Sequence, residues 1–316
     1  MPVPTPAARP SIRPDTTDAD PRQPADRGSP RYPGPFVSHV RIVTDSACDL
    51  PEPLASELGI EIVPLTIRFG DTELIDREQL STAEFWRRCT ASATLPETAA
   101  PAPGRFEAAY RKLAADGATG IVVVALSSEL SATMQSAQLA AQSVAGEIDV
   151  DVVDSRSVTM GQGLIAIAAA RAARTGLDTA AVAALARSLS TRTQVWGALD
   201  TLENLRKGGR IGNAKALLAS VLSIKPIIEV RDGRVEEGGR QRTRSKALAF
   251  LVSKVANAGP ITDLAVMHAD TDDVGELVAR LQPLATGPIL VSDIGPVVGS
   301  HAGRGTIGVV FQVTVR

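Results

Sequence analysis

The sequence predicts an α/β protein of two domains: an N-terminal parallel, doubly wound sheet over residues 38–192 and a C-terminal mixed α+β sheet domain over residues 193–316. Three observations carry this expectation. Short apolar, β-branched runs alternate with helical patterns between residues 40 and 190, as in a parallel sheet covered on both faces. One run, Ile121-Val-Val-Val-Ala-Leu126, is apolar throughout, the texture of a strand buried on both sides. After Thr191 the pattern turns mixed, with two strand-like runs joined by Asp232-Gly233 in the manner of a tight hairpin.

Composition bounds the rest. At 316 residues the chain is long enough for two cores. Hydrophobic residues make up 44% and charged residues 22%, the balance of a soluble globular protein. Only 3% are aromatic, so Ala, Val, Leu and Ile must build the interior. A net charge of −2 argues against nucleic acid as a partner, which would need a concentrated basic face. Cys48 and Cys89 form no CxxC pair and fit a reduced, cytoplasmic protein. Apolar stretches such as Leu164–Ala170 fall well short of the ~20 residues needed to span a bilayer.

Residues 1–37 read as a disordered tail. Ten of the 21 prolines lie there with almost nothing apolar to bury, and no apolar central run marks a secretory signal. Val40–Val43 is the first strand, followed by Thr44-Asp45-Ser46 and a helix opened by Pro51. Ile60–Leu65 is a second strand, and Ile67–Leu74 around Gly70-Asp71 is a hairpin. Ser81-Thr-Ala-Glu84 is a capping box, with Leu80 and Phe85 placed as its staple. Ala93–Gly104, containing Thr98, reads as a loop before a helix that starts with Pro103. The strand Ile121–Leu126 then runs into Ser127-Ser-Glu-Leu-Ser131, where Ser128 or Ser131 is expected to cap the next helix. Val150–Val153 is a strand, and Met160-Gly-Gln-Gly163 opens a helix ending near Gly176. In the second half, strands are expected at Val195–Leu199, Ile224–Val230, Val235–Arg242, Leu264–His268, Ile289–Ile294 and Ile307–Val315. Helices are expected at Thr201–Lys207, Ala214–Leu222, Ser245–Ala256 and Val274–Leu281.

Candidate chemistry is sparse and mostly anion-directed. A strand, a hydroxyl-rich turn and a helix start place Ser127, Ser128 and Ser131 where a small anion is held, although a plain capped turn has the same spacing. Lys207-Gly-Gly-Arg-Ile-Gly212 combines glycines that permit positive φ with the planar donor fork of Arg210; a glycine helix cap gives the same word. The run Arg240–Lys246 supplies Arg242 as an anion grip, a solvated edge or a docking strip. His301 lies in a glycine-lined stretch, Gly299–Gly305, read as a loop between strands. No ligand cluster for a metal, no nucleophilic triad and no cofactor fingerprint stands out.

Taken in order, Thr44-Asp-Ser46, Thr98, Ser127-Ser-x-Leu-Ser131, Met160-Gly-Gln-Gly163, Leu205-x-Lys-Gly-Gly-Arg-Ile211, Ile224-Lys-Pro226 and Gly299-x-His-x-Gly-x-Gly305 resemble the DegV family of bacterial fatty-acid-binding proteins, the lipid-carrying subunits of fatty acid kinase. The resemblance covers residues 40–315. It implies a fatty acid buried between two α/β domains, its carboxylate held by Thr98 and Ser128 and, less directly, by Ser127, Ser131 and His301. It also implies that Arg210 and Arg242 face the phosphate side, where a kinase partner using ATP and Mg²⁺ phosphorylates the carboxylate for phospholipid metabolism. The chain itself would hold the lipid without a catalytic site or cofactor. The chain departs from the family's Thr-Ser-Gln-Pro-Ser at Thr98-Ala-Ala-Pro-Ala102, from its Ser-Gly-Thr-Tyr at Ser131-Ala-Thr-Met134, and from its Gly-Pro-Gly at Gly303-Arg-Gly305.

The energetics are compatible with such a carrier. Burying ~12 methylenes at roughly 0.8 kcal/mol each gives about 10 kcal/mol before association and ordering costs. A few polar contacts at the carboxylate then suffice for tight binding. Two rivals remain at this level. One is an enzyme acting on a small phosphorylated polar substrate through Asp45 and Arg210. The other is an interaction module read through residues 240–246.

Overall fold

Val40-Arg-Ile-Val-Thr-Asp45 is buried along nearly its whole length because it runs through the middle of a parallel sheet. The computed structural model describes residue 1 and residues 39–92, 94–219 and 224–314. The expected N-terminal tail and the end of the helix expected at Ala214–Leu222 lie outside the described residues. Val37–Arg316 form one compact unit.

In chain order the elements are β1 (Val40–Asp45), α1 (Glu52–Leu58), β2 (Ile60–Val63), β3 (Thr66–Phe69), β4 (Thr72–Ile75), α2 (Thr82–Ala91), β5 (Glu97–Ala99), α3 (Pro103–Ala115), β6 (Gly120–Ala125), α4 (Thr133–Ser143), β7 (Asp149–Asp154), α5 (Met160–Arg174) and α6 (Thr179–Ser190). They continue as β8 (Thr193–Ala198), α7 (Glu203–Lys207), β9 (Lys225–Arg231), β10 (Arg234–Gln241), α8 (Arg244–Ala256), β11 (Ile261–His268), α9 (Val274–Leu281), β12 (Leu290–Asp293), α10 (Pro296–Ala302) and β13 (Ile307–Val313).

The first sheet has the order β2-β1-β6-β7 and is parallel throughout. Alternation along β6 sends Ile121 and Val123 to the layer of α3 and α4, with Phe106 and Tyr110. Val122 and Val124 point the other way, toward α5. A second sheet, β10-β9-β8-β13-β11-β12, is antiparallel except for the β11–β12 pair, and α8 and α9 contribute Leu248, Leu251, Leu277 and Leu281 to its core. The hinge of the packing is α5, whose residues join one core cluster with Ile42 and Val124 from the first sheet and Val195, Val230 and Val310 from the second. Being buried on nearly every side, α5 is made of small residues. A β-carbon at Gly161 would run into Ser157 and Val195, and one at Gly163 into the Cys48 carbonyl, so both glycines serve packing.

Four local expectations change. Thr98 lies not in a loop but in β5, an edge strand that pairs with β3 in a small third sheet between Pro96 and Pro101. His301 lies not in a loop but on α10; Pro296 at its start and the positive-φ Gly303 after its end were the overlooked helix signals. Neither Ser128 nor Ser131 is the cap of α4, which begins after Ala132. Gly212–Ala219 is a 3-10 turn rather than an α-helix.

Candidate functional site

An apolar cavity of about 190 Å³ lies where the two sheets meet. Its walls include Leu65, Leu126, Leu130, Val230, Val298 and Ala302, and its polar residues are Thr98, Ser131, Arg210 and His301. An outer cleft of about 350 Å³, lined in part by Pro96, Lys207 and Ser300, shares Thr98, Arg210 and His301 with it. These three residues therefore stand at the junction of a greasy chamber and a polar mouth.

Each arrives there for a local reason. Thr98 pairs with the buried Ile67 across β3, and directly opposed residues share a face, so its hydroxyl is turned inward. The neighbouring Arg68–Glu97 ion pair ties the same two strands. His301 occupies the last turn of α10, whose Gly299 packs so closely on Phe85 and Trp86 that no β-carbon would fit. Arg210 follows the end of α7, closed by bonds from the Gly209 N–H to Arg206 O and from the Arg210 N–H to Leu205 O, with Gly209 at φ 72°. That pattern is a Schellman cap, the helix-cap reading of Lys-Gly-Gly-Arg. Gly208 is required for a different reason, since any side chain there would collide with the His301 ring.

His301 Nε2 lies 3.0 Å from Thr98 Oγ1, while its buried Nδ1 has no partner. A buried acceptor left unpaired costs less than a buried N–H left unpaired, which places the proton on Nε2. His301 then donates to Thr98, and the threonine O–H is free to donate into the cavity. Burial, helped by the charge of Arg210, pushes the His301 pKa down to about 4, so the ring is neutral near pH 7. Arg210 is held by Nε donating to Leu130 O at 3.1 Å and Nη1 donating to Gly208 O at 2.8 Å. Ser131 Oγ accepts from Thr133 N at 3.3 Å and lies 2.9 Å from Thr133 Oγ1.

The remaining predicted residues are elsewhere. Ser128 is exposed and its Oγ donates to Asp154 at 2.5 Å; it does not line the cavity, whereas Ser131 does. Ser127 is buried and donates to Gly233 O at 2.8 Å. Arg242 is exposed beyond β10 and lines neither space; within the basic run it is Arg244 that is half-buried, bonded to Asp273 at 2.6 and 2.9 Å. Asp45 is buried and spent internally, accepting from Ala47 N at 3.1 Å, Leu126 N at 2.7 Å and Gln162 Nε2 at 2.9 Å. Sequence reasoning missed the roles of Gln162 and Gly208, because each depends on a neighbour far along the chain. Among the described residues no group of three or more His, Cys, Asp or Glu side chains is arranged to hold a metal ion, and no helix is long and apolar enough to cross a membrane.

Residues 39–314 match the family model described as "Uncharacterised protein, DegV family". A DegV domain-containing protein of Streptomyces coelicolor is 39% identical over 281 residues, covering 87% of this chain and 98% of its relative. A Thermus thermophilus structure titled as fatty acid binding of a DegV family protein superposes with a TM-score of 0.80 at 32% identity, covering 87% of this chain and 99% of that one. A Ruminococcus gnavus DegV family structure, described with vaccenic acid, gives a TM-score of 0.77 at 27% identity, covering 86% and 99% of the two chains. With nearly the whole described body matched by the family model and by these relatives, the chain belongs to the DegV family.

Proposed function

We propose that this protein binds a long-chain fatty acid with its acyl tail in the apolar cavity and its carboxylate at the Thr98–His301 junction. The observation that carries this reading is that Thr98, Arg210 and His301 line both the apolar chamber and the polar cleft. An amphiphile is the ligand class that matches such a boundary, and structures of DegV relatives are described as fatty-acid-bound. The free O–H of Thr98 and the Ser131 hydroxyl donate to the carboxylate, and the Arg210 guanidinium offsets its charge, as a carboxylate removed from water requires. The cavity of about 190 Å³ is smaller than the ~300–1,000 Å³ of typical ligand pockets. Half-buried walls such as Leu130, Ile228 and Val298 therefore move aside when a long chain enters.

The finer reading is that the outer cleft presents the carboxylate to a kinase partner. A carboxylate oxygen attacks the γ-phosphorus of ATP, ADP leaves, and the acyl phosphate forms while this cytoplasmic chain acts only as lipid carrier. Arg210 in the cleft supports it by supplying positive charge where phosphate would develop, with Lys207, paired to Glu203, beside it. The rival enzyme reading is weakened because the buried Asp45 lines neither space. The test is organic extraction of the purified protein followed by mass spectrometry, with titration of a fluorescent fatty acid. A co-purified or tightly bound long-chain fatty acid is expected; a lipid-free protein that ignores the probe would overturn the proposal.

A further inference from the structure

The turn between β9 and β10 reaches across to the loops that follow β6 and β7, and three contacts tie it there, two to the first loop and one to the second. The buried Ser127 hydroxyl donates to Gly233 O at 2.8 Å. Gly233 sits at φ 81°, and a β-carbon there would run into that same hydroxyl, so the approach is as close as the backbone allows. On either side lie exposed ion pairs, Arg234 with Glu129 at 2.8 Å and Arg156 with Asp232 at 2.9 Å. The joined segments are walls of the cavity: Leu126, Leu130 and Ser131 on the loop, Val230 and Val235 on the hairpin.

A polar seam over an apolar chamber differs in kind from the other walls. Parallel and antiparallel ladders part only by breaking many backbone bonds together, whereas this seam is one buried hydrogen bond flanked by ion pairs that are individually weak. Of the head-group residues Ser131 lies on a tied segment and Arg210 donates to Leu130 O of the same loop, whereas Thr98 and His301 lie on β5 and α10. The seam can therefore open without dismantling the Thr98–His301 pair.

We infer that the contact of the Asp232–Arg234 turn with Ser127 and Glu129 is a latch whose opening sets how fast the acyl chain enters and leaves, while Thr98 and His301 set the grip on its head. This inference rests on the fatty-acid reading of the cavity. The test uses the full chain loaded with a fluorescent fatty acid and follows its release into excess phosphatidylcholine vesicles. Arg234→Glu and Glu129→Arg should each speed release about fivefold, the factor that corresponds to losing an exposed ion pair at the upper end of its range. The double variant, which restores the pair with charges exchanged, should return to near the wild-type rate. Raising the salt from about 0.05 M to about 0.5 M should speed release from the wild type, which requires no variant to fold. Unchanged release in the single variants, a double variant as fast as the singles, or salt-independent wild-type release would each overturn the latch. A wild type that never takes up the probe overturns the fatty-acid reading instead, and the latch with it.

Discussion

Asp45 and Thr98 are both polar residues close to the same apolar cavity, and their fates are opposite. The carboxylate of Asp45 is matched on both oxygens by Leu126 N, Ala47 N and Gln162, and nothing is left over for a ligand. With the proton on His301 Nε2, Thr98 accepts from the histidine and its own O–H is available to the cavity that it lines. Polarity at the end of a strand is thus a poor guide to binding. Unspent hydrogen-bonding capacity turned toward a cavity is the better one, because a donor already satisfied gains nothing by exchanging partners.

The largest effect expected from this contrast is on stability. Asp45→Ala would strand two buried backbone donors, Ala47 N and Leu126 N, while Gln162 keeps Thr44 and Val124, and should cost at least about 2 kcal/mol, lowering the melting temperature by roughly 4–8 °C. A scanning-calorimetry shift near zero would break the contrast, since Asp45 would then not be a structural plug.

Next in size is the effect on ligand affinity. Thr98→Ala should weaken binding of a fluorescent fatty acid about tenfold, the value of one hydrogen bond to a charged group. Ser128→Ala should change it less than about twofold, because that hydroxyl is exposed and committed to Asp154. Equal losses in the two variants would return Ser128 to the head group and move the site.

The smallest effect concerns pH. Burial pushes the carboxyls of Asp45, Asp49 and Asp76 up to about 6, 7 and 6. With folded pKa values above the unfolded ones, these groups bind protons more tightly in the native state. Their stabilisation is complete below the unfolded value of 3.8 and is lost as pH rises through about 6–7. His301, lowered to about 4, works oppositely and loses stability as pH falls from 6.5 to 4. Melting temperature should therefore fall between about pH 4 and pH 7, with His301 offsetting part of the fall, and Asp76→Asn should flatten that slope. An identical slope in the variant would mean that Asp76 does not contribute to it.

Much of the frame was legible because it follows local rules. The all-apolar run Ile121–Leu126 could only be a strand covered on both faces, and β6 is buried at every position. The capping box at Ser81 is realised, with Ser81 Oγ accepting from Glu84 N at 3.2 Å. Asp232-Gly233 does turn a hairpin. The site was legible only in pieces. Thr98, Arg210 and His301 carried the right chemistry, yet the elements holding two of them were misread, since a three-residue edge strand and a seven-residue helix have too little periodicity to register. Three serines within five residues were indistinguishable along the chain. Only the positions of Asp154 and Gly233, brought in from later segments, commit Ser128 and Ser127 elsewhere and leave Ser131 at the cavity.

Hydrophobic period, capping and glycine φ act over a few residues, and through them most strands, helices and turns, and the polar words between them, could be read along the chain. Which polar groups are satisfied and which are left facing space was settled by packing. That outcome depends on pairs such as Thr98 with His301, 203 residues apart, whose meeting is fixed by how α10 packs beside α2 and the small third sheet.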